Sequence, residues 1–167
     1  MDNELEALAI RVGQTLRARD WQLAVAESCT GGWVAKVLTD IAGSSAWFER
    51  GFITYSNLAK QQMLAVSEAT LKQHGAVSEA TVREMVAGAL ANSAAQVALA
   101  VSGIAGPEGG TPDKPVGTVW FAWGLKHGAT YVQRHQIGGG RAEVRAQSVH
   151  IALQGVTDLL GRRTELA

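Results

Sequence analysis

The chain has 167 residues, 47% of them hydrophobic, and its 15 lysines and arginines balance 15 aspartates and glutamates. That length fits one domain spanning 1–167 and leaves little room for a second, and the apolar share is too high for a disordered chain. The basic excess typical of proteins that live on nucleic-acid phosphates is missing, so no nucleic-acid partner is expected.

Cys29 is the one cysteine, which excludes an intrachain disulfide and a thiolate zinc site. His74, His127, His135 and His150 lack metal-ligand spacing, so no metal is expected either. The start, Met1-Asp2-Asn3-Glu4, is acidic rather than basic, unlike a secretory signal. No run is apolar enough to span a bilayer, and a cytoplasmic protein without a membrane partner is expected.

Leu5, Leu8, Ala9, Val12 and Leu16 recur at three- and four-residue steps, which predicts an amphipathic helix over 2–19. Residues 21–27 form a short apolar run suited to a buried strand. The polar turn Ser28-Cys29-Thr30-Gly31-Gly32 follows, and a helical pattern resumes through Trp33, Val34, Val37, Leu38 and Ile41. After the break at Gly43-Ser44-Ser45, residues 51–55 read as a strand, with Ser56 or Asn57 capping the next helix. A short helix over 67–74 ends at Gly75, and a long one runs from Ser78 to about residue 95. A strand over 96–102 opens into a glycine-rich loop. Residues 117–125 and 129–137 read as an antiparallel hairpin, and a last helix covers 141–160, with a frayed tail over 161–167. The fold class is α/β: a three-layer α/β/α sandwich on a mixed, mostly parallel five-stranded sheet.

Ligands of open α/β sheets bind beyond the carboxyl ends of the strands. Three polar or glycine-rich turns fall there, at 27–32, 55–60 and 102–110. Ser28 ends a buried strand where a helix begins, so unpaired N–H groups are available to a developing oxyanion. A helix cap by Ser28 or Thr30 accounts for the same pattern. The turn is not a GxSxG elbow, because Ala26 and Thr30 occupy the glycine positions. Lys60 falls in the first turn of a helix, where the dipole and burial both lower its pKa and suit it to act as a base. A solvated lysine is the plainer alternative, as is a core position for Tyr55. Cys29 is a rival nucleophile or a small buried hydrophobe. The 102–110 loop lacks a Walker A sequence. Arg141 and Arg145, four apart on one helix, suit a phosphate or a salt bridge.

Taken together, Ala26-Glu27-Ser28-Cys29-Thr30-Gly31-Gly32, Gly43-Ser44-Ser45, Phe48, Gly51, Tyr55-Ser56-Asn57, Lys60, Gly75-Ala76-Val77-Ser78, Ser102-Gly103-Ile104-Ala105-Gly106-Pro107 and Lys114-Pro115-Val116-Gly117-Thr118-Val119 resemble the CinA C-terminal domain family. The likeness covers nearly the whole chain in order and is strongest to the stand-alone members, which act as nicotinamide-nucleotide amidohydrolases. It implies hydrolysis of nicotinamide mononucleotide to nicotinate mononucleotide and ammonia, in pyridine-nucleotide salvage, without a cofactor. It also implies a catalytic group of Ser28, Tyr55 and Lys60, in which the serine attacks, the lysine takes its proton and the tyrosine assists transfer to ammonia. Thr30, Gly31, Gly32, Ser45, Asn57, Ser102, Gly103, Ala105, Gly106, Arg141 and Arg145 are the corresponding candidates for binding a small-molecule nucleotide substrate. Gly138-Gly139-Gly140 departs from the polar residue the family usually places before Arg141. A non-catalytic nucleotide- or partner-binding domain is the alternative reading. The family likeness further implies a homodimer or higher homo-oligomer, for which Trp33, Trp47, Phe48 and Trp120 are apolar interface candidates.

Overall fold

The computed structural model describes residues 3–166, with side chains for residues 3–161. Within these residues the chain runs α1 (Asn3–Arg17), β1 (Leu23–Glu27), α2 (Trp33–Thr39), β2 (Phe48–Ile53), α3 (Asn57–Leu64), α4 (Glu68–His74), α5 (Glu79–Ala91), β3 (Val97–Gly103), β4 (Thr118–Leu125), β5 (Thr130–Gln136) and α6 (Arg141–Leu166). The strands form one sheet in the order β2-β1-β3-β4-β5. β1 pairs in parallel with β2 and β3, whereas β3–β4 and β4–β5 are antiparallel, so β4 alone runs against the other strands.

Alternation along β1 explains why both faces are covered. Leu23 and Val25 point into one apolar cluster with Leu8, Val12, Val37 and Leu153, beneath α1, α2 and α6. Ala24 and Ala26 point the other way, against Leu64, Leu71, Val82 and Met85 of α3, α4 and α5. A strand buried on both faces reads as a continuous apolar run rather than an alternating one, which is why residues 21–27 stand out in the sequence.

The element boundaries shift in informative ways. The strand expected over 51–55 lies at Phe48–Ile53, because an edge position tolerates Glu49 and Arg50 inside the strand. Ser56, not Asn57, caps α3, its hydroxyl accepting from the Ala59 N–H. α5 stops at Ala91, where the Asn92 amide turns back onto the Gly88 carbonyl. The expected fraying over 161–167 does not begin at 161: the backbone of α6 stays helical to Leu166, and Ala167 lies outside the described residues. Nor do the expected interface aromatics form an exposed patch. Trp47 is buried, and Trp33, Phe48 and Trp120 are half-buried against the two apolar clusters, where their area is more useful to the core.

Gly88 lets α5 lie directly on the end of α3, since a Cβ there would overlap the Leu64 carbonyl. A backbone atom cannot swing aside as a side chain can. Gly88→Ala is expected to lower stability by about 1–3 kcal/mol through this overpacking, checked by urea denaturation.

Candidate active site

β1, β2 and β3 end side by side, with Glu27 opposite both Ile53 and Val101. Ser28 and Thr54, the first residues beyond β1 and β2, and Ser102 and Gly103, the last two of β3, therefore share one rim. The sheet is built outward from β1 in both directions, to β2 and then to β3, and a crevice opens where the connections diverge. β5 ends on the same rim, so α6 begins there with Arg141.

Each side chain in the crevice has a local reason for its place. Gly31 and Gly32, at φ of 59° and 102°, carry the chain from β1 into α2 through left-handed conformations that favour glycine. Ser28, at the head of that turn, is 7% exposed, and its N–H is fixed to the Val101 carbonyl. The Ser56 cap starts α3 so that Lys60 faces inward, where it is only 1% exposed. Its Nζ lies 2.9 Å from Ser28 Oγ, 2.8 Å from the Thr54 carbonyl and 3.3 Å from the Tyr55 carbonyl.

Burial pushes the Lys60 amine down to about 8, and among the described residues no carboxylate is paired with it to restore the charge. A neutral amine has two N–H groups and one lone pair. With its proton on, the amine donates to Ser28 Oγ and the Ser28 hydroxyl donates to the Tyr55 carbonyl at 3.5 Å; once neutral, it keeps its two N–H groups on the Thr54 and Tyr55 carbonyls and turns its lone pair to the Ser28 hydroxyl. This is the geometry of a general base already hydrogen-bonded to its nucleophile.

The surrounding cleft, of ≈ 250 Å³, is lined by Ser28, Cys29, Tyr55, Lys60, Ala76, Val77, Ser102, Gly103, Ala105 and Arg141. Ser102 is buried and donates its hydroxyl to the Ala76 carbonyl, so its oxygen retains acceptor capacity. Arg141 donates to the Gly106 carbonyl at 2.8 Å and reaches the Tyr55 hydroxyl at 3.4 Å, closing one side of the mouth. Tyr55 thus meets the serine–lysine pair through its carbonyl, while its 62% exposed side chain stands with Arg141. Cys29 is buried, and burial pushes its thiol up to about 11, which keeps it protonated near neutrality and a poor nucleophile. Among the described residues no group of three histidine, cysteine or acidic side chains is placed to hold a metal ion.

Several sequence candidates do not face this cleft. The Thr30 hydroxyl is buried and donates to Glu27. Gly31 and Gly32 line a separate open surface groove with Trp33, Lys36 and Ile53. Ser45 is exposed before β2, at the opposite end of the sheet from the rim. Asn57 is exposed on the first turn of α3. Arg145 does not join Arg141: it donates to the Cys29 and Thr30 carbonyls and stacks 5.5 Å above the Trp33 ring. Side chains four residues apart start on one helix face, but long ones diverge, and these two settle on different sides of the Ser28 turn. Ala76, Val77 and Glu27 entered the sequence reading as members of the family motifs and were not named as site residues. An isolated acid ending an apolar strand was the available signal for Glu27.

Residues 5–160 match the model of the CinA C-terminal domain. The chain belongs to the CinA C-terminal domain family. Among curated members it is 59% identical over 153 residues to the nicotinamide-nucleotide amidohydrolase PncC of Escherichia coli K12, covering 92% of this chain and 93% of that one. It is 50% identical over 155 residues to the protein of the same name from Pseudomonas putida, covering 93% and 96%. Among solved structures, the competence/damage inducible protein CihA of Agrobacterium tumefaciens superposes with a TM-score of 0.93 at 44% identity, covering 95% of this chain and 97% of that chain.

In this member of the CinA family the depressed Lys60 pKa has a signature in stability. Below pH 8 the folded and unfolded chains both hold the proton and the burial cost is constant. From about pH 8 to the ordinary lysine value of 10.5 the unfolded chain binds more protons, so stability rises with pH. Relative to Lys60→Met, the wild type is expected to gain up to about 1.4 kcal/mol per pH unit across that window, read from denaturation midpoints.

Proposed function

We propose that this protein hydrolyses the carboxamide of nicotinamide mononucleotide, releasing nicotinate mononucleotide and ammonia as a step of pyridine-nucleotide salvage. The 2.9 Å contact between the buried Lys60 amine and the Ser28 hydroxyl is the observation that carries this reading. The curated names of close relatives supply the substrate class.

Ser28 Oγ attacks the carboxamide carbon while Lys60 Nζ accepts the hydroxyl proton. The tetrahedral oxyanion is held by amides of the Ser28 turn and of the loop after Ser102. Cys29 N–H follows the proposed nucleophile directly, the place from which an oxyanion-hole amide commonly donates. Lys60 returns the proton to the departing nitrogen, and ammonia leaves an acyl-serine. A water then loses a proton to Lys60, attacks the ester carbon and restores Ser28 with release of the acid. Ser102 Oγ and the backbone at Gly103 and Ala105 border the carboxamide end of the cleft. Arg141 is the guanidinium at its mouth and takes the substrate phosphate, with the Tyr55 ring flanking the pyridine and its hydroxyl available to the proton transfer.

Purified protein incubated with nicotinamide mononucleotide is expected to release ammonia and nicotinate mononucleotide in equal amounts, and Ser28→Ala to release none. Absence of ammonia above that control would reject the enzyme in favour of a binding domain. Lys60→Met should lower kcat by about 10²–10⁴-fold, the usual contribution of a positioned base. The kcat/KM of the wild type should rise with pH about a midpoint near 8, as the free Lys60 amine appears. Arg141→Ala should raise KM by about 10–100-fold with little change in kcat, matching the loss of one charge-assisted contact. Tyr55→Phe, which keeps the carbonyl on Lys60, should cost less in kcat than Lys60→Met.

A further inference from the structure

The carboxylate of Glu27 lies wholly inside the protein, at the end of β1 and one residue before Ser28. Its Oε1 accepts from the Thr30 hydroxyl at 2.5 Å, the Gly32 N–H at 3.1 Å and the Val34 N–H at 3.0 Å, and its Oε2 from the Ala35 N–H at 3.0 Å. Among the described residues no lysine or arginine forms an ion pair with it. Its charge is therefore balanced by the N–H and O–H dipoles of a single turn, contacts stronger than neutral ones.

An ordinary helix cap sits immediately before its helix and constrains nothing upstream. α2 has Gly32 in that place, without a side chain to accept. Capping from residue 27 instead closes a ring of hydrogen bonds around residues 28–31. On the outside of the same ring the Arg145 guanidinium donates to the Cys29 carbonyl at 3.0 Å and the Thr30 carbonyl at 3.1 Å. The N–H groups that follow the turn, of Gly32, Val34 and Ala35, are drawn inward to an anion, and the Cys29 and Thr30 carbonyls of the turn itself face outward to a cation. The main chain of Glu27 also receives the Thr54 N–H at 2.8 Å, and Thr54 is the residue whose carbonyl holds Lys60.

We infer that Glu27 and Arg145 are positioning residues for the reaction, clamping the Ser28 turn from its two sides so that the hydroxyl stays aligned with Lys60 and the turn amides stay aligned for the oxyanion. Neither side chain lines the cleft, so each acts through the backbone that carries the nucleophile. The role rests on Ser28 being the nucleophile as read above. Preorganised donors of this kind matter because a small misplacement weakens the transition state more than the bound substrate.

The test compares the wild type with Glu27→Gln, Arg145→Met and the milder Thr30→Val, which removes one donor to the carboxylate. Each is followed by steady-state kinetics and by the rate and amplitude of Ser28 labelling with a fluorophosphonate, with circular dichroism reporting the fold. Glu27→Gln keeps the size of the side chain but turns an amide N–H₂ toward donors. It is expected to lower kcat and the labelling rate constant at least tenfold, with KM within about threefold and the pH midpoint near 8 unmoved. Arg145→Met and Thr30→Val should give the same pattern at smaller size, which keeps the test open if Glu27→Gln does not fold. A merely structural role predicts lower labelling amplitude at an unchanged rate constant, and that result would overturn the clamp, as would wild-type kinetics in folded variants. If the wild type is labelled at Ser28 but leaves nicotinamide mononucleotide intact, the substrate assignment fails while slower labelling of the variants still supports the clamp. Wild-type protein that is neither labelled nor active would overturn both.

Discussion

A lysine amine withdrawn from water, with no carboxylate paired to it among the described residues, is the constraint on which this site depends. Lys60 cannot hold a full charge cheaply where it lies, yet it is not free to leave. α3 is fixed by its Ser56 cap at one end and by the close approach of α5 at the other. Two backbone carbonyls then orient the amine, leaving Ser28 as its third neighbour. In the mechanism proposed above, the base arises from that deficit of solvation rather than from an acid relay, with no histidine in the pair.

The sheet supplies the register that makes such a contact possible. Ser28 and Thr54 follow adjacent parallel strands, and the Glu27 carbonyl accepts the Thr54 N–H, so Ser28 and the carbonyl that holds Lys60 are one hydrogen bond apart through the backbone. β3 brings Ser102 to the other flank of β1 by the same logic. The antiparallel hairpin of β4 and β5 returns the chain to this rim, and α6 starts beside the cleft instead of across the molecule from it.

Much of this was legible in the sequence because the signals were local. Continuous apolar runs marked β1 and β3, serines before helical patterns marked α3, α4 and α5, and glycine-rich turns marked the strand ends. Placement of those turns on one rim followed from the α/β order alone, whereas position left Lys60 open between a buried base and a solvated side chain, and its partnership with Ser28 was implied only by the family likeness. What escaped was orientation. Nothing in the spacing of Arg141 and Arg145 tells which side of the Ser28 turn each guanidinium takes. Ser45 belongs to the same ordered set of motifs as Ser28, but a β-strand's length separates it from the rim. Tyr55 contributes a carbonyl, which every residue possesses, and so its residue type could not announce that role. Glu27 looked like the last letter of a strand, because its hydrogen-bond donors come from residues three to eight positions later.

The triple glycine before α6 has a mechanical meaning. Gly139 adopts a φ of 95°, and no neighbouring atom lies within contact of a Cβ placed on Gly138, so this joint transmits little force from β5. The helix it introduces is instead seated along α1 and across β3 and β4. Arg141 is consequently the tip of a long lever, and the aperture between it and Tyr55 is set both by that distant seating and by the guanidinium's own bonds to the Gly106 carbonyl and the Tyr55 hydroxyl. Drift in the packing of α1 against α6 would retune which molecules enter, and through Arg145, one turn further along the same helix, it would also reach the backbone beside Ser28.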